Sequence, residues 1–209
     1  MRNVLITLLT CCFVQAAFAQ GAPMSKAQGE QFEQELLKST ANTRTLQSDF
    51  TQYKHMDLLT KDIVSSGTMS FRSPNTVKWA YTKPYDYSII FKDGMMKVND
   101  GGRKSEMDIG SHKLLAQVSD MMTKSVRGDL FKDPAFNVSL FSGPKYDVVV
   151  LKPKDKELAG YVKQLELNFG KEDRKIVELK IIEPGDDHTR IVISNLKTNP
   201  ALDDAVFAH

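Results

Sequence analysis

The chain has 209 residues, of which 28 are basic and 26 are acidic, and its formal net charge at pH 7 is +2. Nucleic-acid binding requires a basic surface for the phosphates, so this balance argues against nucleic acid as the main partner. The two cysteines, Cys11 and Cys12, both lie near the N-terminus. The rest of the chain therefore has no disulfide scaffold, no thiol nucleophile and no cysteine-based metal site.

The N-terminus has the features of a secretory signal peptide. An arginine precedes an apolar run from Val4 to Val14, and Ala17-Phe18-Ala19 predicts cleavage after Ala19. A lipoprotein signal is the alternative, because two cysteines lie in this segment, but Thr10 is a poor residue before a lipidated cysteine. Cleavage leaves residues 20–209 as one domain outside the inner membrane, without a second apolar stretch long enough to span a bilayer.

The first helix and the first two strands are predicted from a change in the spacing of apolar residues along the sequence. Ser25 and Gln28 have capping-box spacing and precede an apolar stripe, which predicts a helix from Lys26 to Ala41. From Leu46 to Tyr53 the period changes to two, with Leu46, Ser48, Phe50 and Gln52 on one side, and this period returns from Ile63 to Phe71. Both segments are therefore predicted to be strands.

The stretch from Gly67 to Gly94 predicts an antiparallel meander with one apolar face. Pro74 and Pro84 separate three alternating runs, and Asp93-Gly94 has the chemistry of a hairpin turn. Side chains of this kind are usually core residues. The apolar positions of the face are Met69, Phe71, Val77, Trp79, Tyr81, Ile89 and Phe91.

A second, longer helix is predicted after two short strands around Met95 to Asn99 and Met107 to Ile109. From Ser111 to Phe131 apolar residues recur at spacings of three and four, as on an amphipathic helix. The stripe consists of Leu114, Leu115, Val118, Met121, Met122 and Val126. Such a stripe is either core or a ligand surface, and adjacent methionines suit variable apolar ligands.

From Phe136 onward the sequence predicts strands only, with residues 152–157 as a solvated connection of mixed charge. The five predicted strands are Asn137–Ser142, Lys145–Lys152, Tyr161–Phe169, Lys175–Glu183 and Thr189–Lys197. About ten antiparallel strands with two helices are too many for a flat open sheet. Such a sheet curls and acquires a concave side.

The search for catalytic or cofactor chemistry nominates no residue. His55, His112, His188 and His209 are scattered without metal-ligand spacing, and a turn explains the run that ends in His188. The sequence contains no G-x-S-x-G, no phosphate-binding loop and no dinucleotide fingerprint. Two carboxylates that meet in space remain an open alternative. We expect no enzyme activity, no metal and no cofactor.

Three motifs together resemble the LolA family of periplasmic lipoprotein carriers. The first is Pro74-Asn75 followed by Val77-x-Trp79-x-Tyr81 and an aliphatic strand that ends in Asp-Gly. The second is Leu46-x-x-x-Phe50-x-Gln52, and the third is Asn199-Pro200-Ala201-Leu202 with Phe207. The resemblance implies a mainly β (α+β) fold, an incomplete and strongly curved antiparallel β-barrel with a helical lid over an apolar cavity.

The same resemblance implies a function and a site. Family members hold the acyl chains of lipoproteins in this cavity, receive them from an inner-membrane donor complex and pass them to an outer-membrane acceptor. We expect a monomer. By position, the sheet supplies Phe50, Met69, Phe71, Val77, Trp79, Tyr81, Ile89 and Phe91, and the lid supplies Leu114, Leu115, Val118, Met121 and Met122.

One departure from the family concerns control of the lid. Well-known members have an arginine directly before Pro-Asn that ties down the lid, whereas this chain has Ser73 there and Arg72 one place earlier. One place along a strand is the opposite face. Lid control by Arg72 or Ser73 is therefore a hypothesis. Two alternatives stay open: a LolA-like carrier or sensor of another lipid or lipidated ligand, and a protein-binding scaffold filled by its own side chains.

Overall fold

Twelve antiparallel strands form one sheet in the computed structural model, which describes residues 21–185 and 187–209. The predicted signal peptide lies outside the described residues. The strands are β1 (Ala22–Pro23), β2 (Thr45–His55), β3 (Ile63–Arg72), β4 (Thr76–Lys83), β5 (Tyr87–Lys92), β6 (Met95–Asp100), β7 (Arg103–Asp108), β8 (Phe136–Ser142), β9 (Tyr146–Pro153), β10 (Gln164–Gly170), β11 (Ile176–Ile182) and β12 (His188–Thr198). The helices are α1 (Lys26–Thr40), α2 (Lys113–Arg127) and α3 (Lys156–Ala159), with 3₁₀ turns at Leu130–Lys132 and Asp204–Phe207.

The sheet does not close on itself. Its strands follow the order β1-β8-β9-β10-β11-β12-β2-β3-β4-β5-β6-β7, so β1 and β7 are its two edges. Between these edges each strand pairs with two neighbours, and the pairing of β12 with β2 joins the two halves of the chain. The predicted mainly β fold with an incomplete antiparallel barrel is confirmed.

The register places all eight predicted cavity residues of the sheet on one face. Met69 pairs with Trp79, and Trp79 pairs with Ile89. Phe50 lies opposite Gly67, two residues before Met69 on β3. Directly paired residues of an antiparallel sheet share a face. We call this face the inner face, because α2 packs against it.

Both predicted helices form, but the second is shorter than expected. The capping box is present at α1, where the Gln28 backbone N–H donates to the Ser25 hydroxyl at 3.4 Å. The predicted segment from Ser111 to Phe131 is helical only over Lys113–Arg127, because Gly128 ends α2 in the left-handed conformation at φ 74°. A side chain at 128 would also approach the Thr40 hydroxyl to 2.9 Å.

Two hydrophobic clusters hold the helices on the sheet. The first joins α1 and the 3₁₀ turn after α2 to strands β8, β9 and β10. Its buried members are Phe32, Leu36, Leu130, Phe131, Phe136, Val149, Leu151, Leu158, Leu165, Leu167 and Phe169. The second contains Leu46, Met69, Phe71 and Val77, with Met122 and Val126 of α2 packed against it.

Two short elements differ from the sequence prediction. The connection after β9 contains α3, because the Asp155 carboxylate accepts hydrogen bonds from the backbone of Glu157 and Leu158, each at 3.0 Å. Leu158 is buried in the first cluster, so this segment is not simply solvated, and β10 begins at Gln164 instead of Tyr161. The other is β1, which pairs with β8 and was not predicted.

Candidate functional site

A cavity of about 170 Å³ lies between α1, α2 and the inner face of the sheet. The cavity lies between the two hydrophobic clusters. Leu36 and Phe169 of the first cluster line it, and so do Leu46 and Val77 of the second cluster. Most of its lining is apolar, and its polar residues come from the turn between β10 and β11, from α1 and the loop after it, from α2 and from β12. The lining residues are Leu36, Ser39, Thr40, Thr43, Leu46, Met69, Val77, Trp79, Met122, Ser125, Val126, Phe169, Asp173, Arg174, Lys175, Ile176, Leu179, Ile191, Ile193, Leu196 and Thr198.

Three of the eight predicted sheet residues line this cavity: Met69, Val77 and Trp79. Phe50 does not, although it lies on the same face. Its side chain is 1% exposed, and its ring stacks on Trp79 with centroids 4.2 Å apart. Phe50 therefore supports the cavity wall by packing on Trp79 and does not itself line the cavity.

The remaining four predicted sheet residues also belong to the wall and not to the lining. Phe71 is fully buried in the second cluster, and Phe91 is buried opposite Val77. Ile89 is partly buried opposite Trp79. The Tyr81 hydroxyl donates to Gln52 Oε1 at 2.9 Å, and burial raises the pKa of this phenol.

Helix α2 contributes to the cavity with its C-terminal half. Met122 lines it, as predicted. Val126 also lines it, although the sequence predicts Val126 only as part of the apolar stripe. Leu114 and Met121 pack against the first cluster instead. Leu115 and Val118 are partly buried and lie outside the cavity lining. The predicted ligand-facing stripe is thus divided between cavity and core.

The sequence analysis missed one wall of the cavity and one of its covers. The missed wall consists of aliphatic residues on β11 and β12, such as Leu179, Ile191 and Ile193. The missed cover is α1, which contributes Leu36 and Thr40. Alternation marks the strands, but nothing in it shows that these residues face the same space as Trp79.

Polar contacts tie the two covering helices together and to the sheet. The Thr40 hydroxyl donates to the backbone carbonyl of Arg127 at 2.7 Å, which links the C-terminal ends of α1 and α2. Arg174, in the turn between β10 and β11, pairs with Glu35 of α1, with Nη2 and Oε2 2.6 Å apart, and with Asp147 of β9. Burial opposes the Arg174 charge, but both carboxylates together raise the pKa of its guanidinium.

Arg72 is not positioned to hold α2. Its guanidinium donates to the Leu202 carbonyl at 2.6 Å, pairs with the Asp204 carboxylate and lies 4.7 Å from the centre of the Phe207 ring. These partners belong to the C-terminal segment. Arg72 follows Phe71 on β3, so its side chain leaves the sheet on the outer face, as alternation requires.

Ser73 also makes its contact away from α2. It is exposed, and its backbone N–H donates to the carbonyl of Arg44 at 2.8 Å. These contacts do not support lid control by Arg72 or Ser73, which stays a prediction. Side chains that tie the covering helices include Thr40 and Arg174, and Lys113 of α2 pairs with Asp155, with Nζ and Oδ2 2.6 Å apart.

The described residues show a binding geometry without a metal centre. No group of three or more His, Cys, Asp or Glu side chains in residues 21–185 and 187–209 is arranged to hold a metal ion. His55 stacks on His188 with ring centroids 4.8 Å apart, and its Nδ1 lies 3.0 Å from Asp62 Oδ1. Within the same ranges, none of the helices has the length and apolarity needed to cross a bilayer.

Two solved structures are similar to this chain. An uncharacterized conserved protein from Thermus thermophilus is 7% identical, with a TM-score of 0.53 over 87% of this chain and 93% of that chain. A LolA superfamily protein from Nitrosomonas europaea is 10% identical, with a TM-score of 0.47 over 86% of this chain and 97% of that chain. At 7% identity the likeness to the Thermus protein concerns the fold alone.

Sequence comparison identifies the family. The outer-membrane lipoprotein carrier protein of Methylococcus capsulatus is 27% identical to this chain over 207 residues, which cover 97% of this chain and 90% of that protein. The family model described as outer membrane lipoprotein carrier protein LolA matches residues 41–209. This match covers most of the chain, from the residue after α1 to the C-terminus, and the resemblance of the sequence motifs is confirmed: the chain belongs to the LolA family of outer membrane lipoprotein carrier proteins.

Proposed function

We propose that this protein carries lipoproteins through the periplasm by holding their acyl chains in the cavity between α1, α2 and the inner face of the sheet. The observation that carries the proposal is the cavity itself. It is lined mainly by apolar side chains from six strands and two helices, and Trp79, Met69 and Met122 offer large polarizable surfaces. The protein acts as a binding protein and not as an enzyme.

The energetics favour such a site. Burying one CH₂ group is worth about 0.8 kcal/mol, so an acyl chain of about a dozen carbons gains on the order of 10 kcal/mol when it leaves water. A lipoprotein leaves a membrane only when an apolar alternative of this quality is offered. The sequence has no nucleotide-binding motif. Energy for loading therefore comes from an inner-membrane donor, and unloading depends on an outer-membrane acceptor that binds the chain better.

The size of the cavity requires the covering helices to move on loading. Its volume of about 170 Å³ is close to the roughly 150 Å³ of an engineered cavity that binds benzene, and below the roughly 300 Å³ of a small ligand pocket. A complete acyl chain does not fit without expansion. The contacts of Thr40 and Arg174 hold the helices in the closed arrangement, and cargo displaces one or both helices.

The N-terminal segment supports a periplasmic location. We place cleavage after Ala19, which releases residues 20–209 as one carrier domain that works as a monomer. The cargo is a lipoprotein already acylated at the inner membrane.

A carrier or sensor of a single-chain lipid is the second candidate. The small volume of the cavity favours it, because one chain needs less expansion than several. A scaffold filled by its own side chains is disfavoured, since such an interior leaves no cavity of this size.

Native mass spectrometry of the protein purified from a bacterial periplasm tests the proposal. We expect bound acyl species, displacement of a fluorescent acyl probe by a diacyl or triacyl lipopeptide, and a monomer mass. A lysolipid that displaces the probe where lipopeptide does not would select the single-chain candidate. A ligand-free mass in every preparation, with no probe binding at micromolar concentration, would reject both.

A further inference from the structure

Ser48 is a buried polar residue beside the apolar cavity, next to side chains that line it. Its side chain is 1% exposed, and its hydroxyl has no hydrogen-bond partner among the described residues. Ser48 pairs with Met69, so its side chain lies on the inner face of the sheet. An unpaired buried hydroxyl is destabilising, and a leucine or valine at this position would pack without that penalty.

Cavity-lining residues surround Ser48 within the sheet. Met69 lies opposite it on β3, and Leu46 precedes it by two residues on β2. On its other side the ladder between β12 and β2 is interrupted after Ser194, and Leu196 follows in the bulge. Leu46, Met69 and Leu196 all line the cavity. A ligand that spreads these three side chains reaches the Ser48 hydroxyl.

The bulge beside Ser48 is polar. Gln47, Ser48, Asp49, Asn195, Leu196 and Lys197 line a second opening there, and Leu196 is common to this opening and the apolar cavity. Asn195 adopts φ 51° and donates from Nδ2 to Asp49 Oδ2 at 2.7 Å. Ser48 therefore lies at the boundary between an apolar space and a polar one.

We propose that the Ser48 hydroxyl donates a hydrogen bond to the carbonyl oxygen of an acyl ester or amide, with the hydrocarbon chain in the apolar cavity. The inference rests on the proposed carrier function and narrows its ligand class. A carbonyl is the one polar group that every ester- or amide-linked acyl chain carries at its head. The Ser48 hydroxyl thus distinguishes an acyl chain from a plain hydrocarbon. By binding the carbonyl, it also fixes how far the chain extends into the apolar cavity.

Two probes with the same fluorescently labelled alkyl chain test this, one ending in a methyl ester and the other in a methyl group. Wild-type protein is expected to prefer the ester probe. Ser48→Ala should weaken ester binding about three- to tenfold, which corresponds to one neutral hydrogen bond, and leave the alkyl probe unchanged. Infrared spectra of a ¹³C-carbonyl ester should show a lowered stretching frequency in the wild-type complex and a higher one in Ser48→Ala.

Ser65→Ala is the matched control. Ser65 is also buried, its hydroxyl also has no partner among the described residues, and its pairing with Gln52 places it on the inner face, but unlike Ser48 it does not line the second opening. This variant should bind both probes like wild type, and thermal melts should show both variants folded. An equal loss for both probes in Ser48→Ala, a carbonyl frequency that does not change, or the same effect in Ser65→Ala would overturn the proposal for Ser48 alone. If wild-type protein binds neither probe, the carrier function fails and this inference with it.

Discussion

Phe50 and Trp79 stack across an intervening strand, with ring centroids 4.2 Å apart and planes inclined by 25°. Phe50 lies on β2 and Trp79 on β4, and between them β3 presents Gly67. A Cβ atom at position 67 would lie 1.9 Å from the carbonyl oxygen of Ala80, so only glycine fits there. The glycine thus lets two aromatic rings meet over β3, and Phe50 fixes the orientation of the cavity-lining indole.

Trp79 is the only tryptophan of the chain, so its fluorescence reports on the cavity. An acyl chain brominated near its middle should quench this emission on binding, because bromine quenches indole only at close contact. The unbrominated chain of the same length is the control and should shift the emission without quenching it. Binding of the brominated chain without quenching would place the ligand elsewhere in the protein.

Phe50→Ala should destabilise the protein by about 3 to 5 kcal/mol, the usual cost of removing a buried phenylalanine ring. Urea unfolding followed by circular dichroism measures the change. Tyr81→Phe is the control, because it removes the hydrogen bond to Gln52 and keeps the ring that packs edge to face on Phe50. Its expected cost is about 1 kcal/mol. A Phe50 variant as stable as this control would show that the stack does not support the wall.

Val77→Glu should abolish acyl binding. Val77 is 2% exposed and lines the cavity, so the carboxylate would be introduced into apolar surroundings, where it is unfavourable or becomes protonated. Fluorescent-probe titration at several pH values measures the effect, and binding should recover in part at acidic pH, where the carboxyl group is neutral.

The control for this variant is Thr82→Glu, which adds the same charge to an exposed position of the same strand. It should bind the probe like wild type at every pH. Normal binding by Val77→Glu would place the ligand outside the cavity, and a variant that does not fold would identify Val77 as closed core.

Thr40→Val should make the covering helices open more often. The substitution keeps nearly the same side-chain volume and removes the hydrogen bond to the Arg127 carbonyl, which is the shortest of the three carbonyl contacts of this hydroxyl. A loss of about 1 kcal/mol corresponds to roughly fivefold more opening. Amide hydrogen exchange in the second half of α2 and the rate of acyl uptake should both increase.

Ser39→Ala is the control for the tie between the helices. Ser39 also lines the cavity, but its hydroxyl donates to the Leu36 carbonyl within α1 at 2.8 Å. Exchange in α2 should stay at the wild-type rate. Equal acceleration in both variants would indicate that α1 itself, and not its link to α2, controls opening.

Arg72→Ala should loosen the C-terminal segment and leave α2 unaffected. The variant removes the hydrogen bond to Leu202, the ion pair with Asp204 and the contact with the Phe207 ring. Faster amide exchange is expected in residues 202–208, with unchanged exchange in residues 114–122. Faster amide exchange in α2 instead would support lid control by Arg72.

Alternation in the sequence predicted β2 to β5 and their common face, because each strand buries one side and the period of two appears directly in the residues. It did not predict β1 or α3, since elements of two and four residues are too short to show a period. The C-terminal partners of Arg72 lie about 130 residues further along the chain, and no local pattern reveals such a contact.

The sequence also could not predict that the apolar stripe of α2 is divided between the core and the cavity. Leu114 and Met122 lie on the same amphipathic helix, yet one packs in the first cluster and the other lines the cavity. The difference depends on how α1 and α2 lie over a curved sheet, which is a property of the tertiary structure. Ser48 gave no signal either, because a serine in an alternating strand is common and its lack of a partner is visible only in three dimensions.

The unpaired edges β1 and β7 have a mechanical consequence. In a closed barrel the number of strands and their stagger fix the diameter, so the interior cannot change without breaking ladder hydrogen bonds. Here no ladder within the described residues joins β1 to β7, so the distance between these two edges is set by side chains and covering helices. The two edges can therefore move relative to each other without loss of ladder hydrogen bonds, and the width of the interior is adjustable.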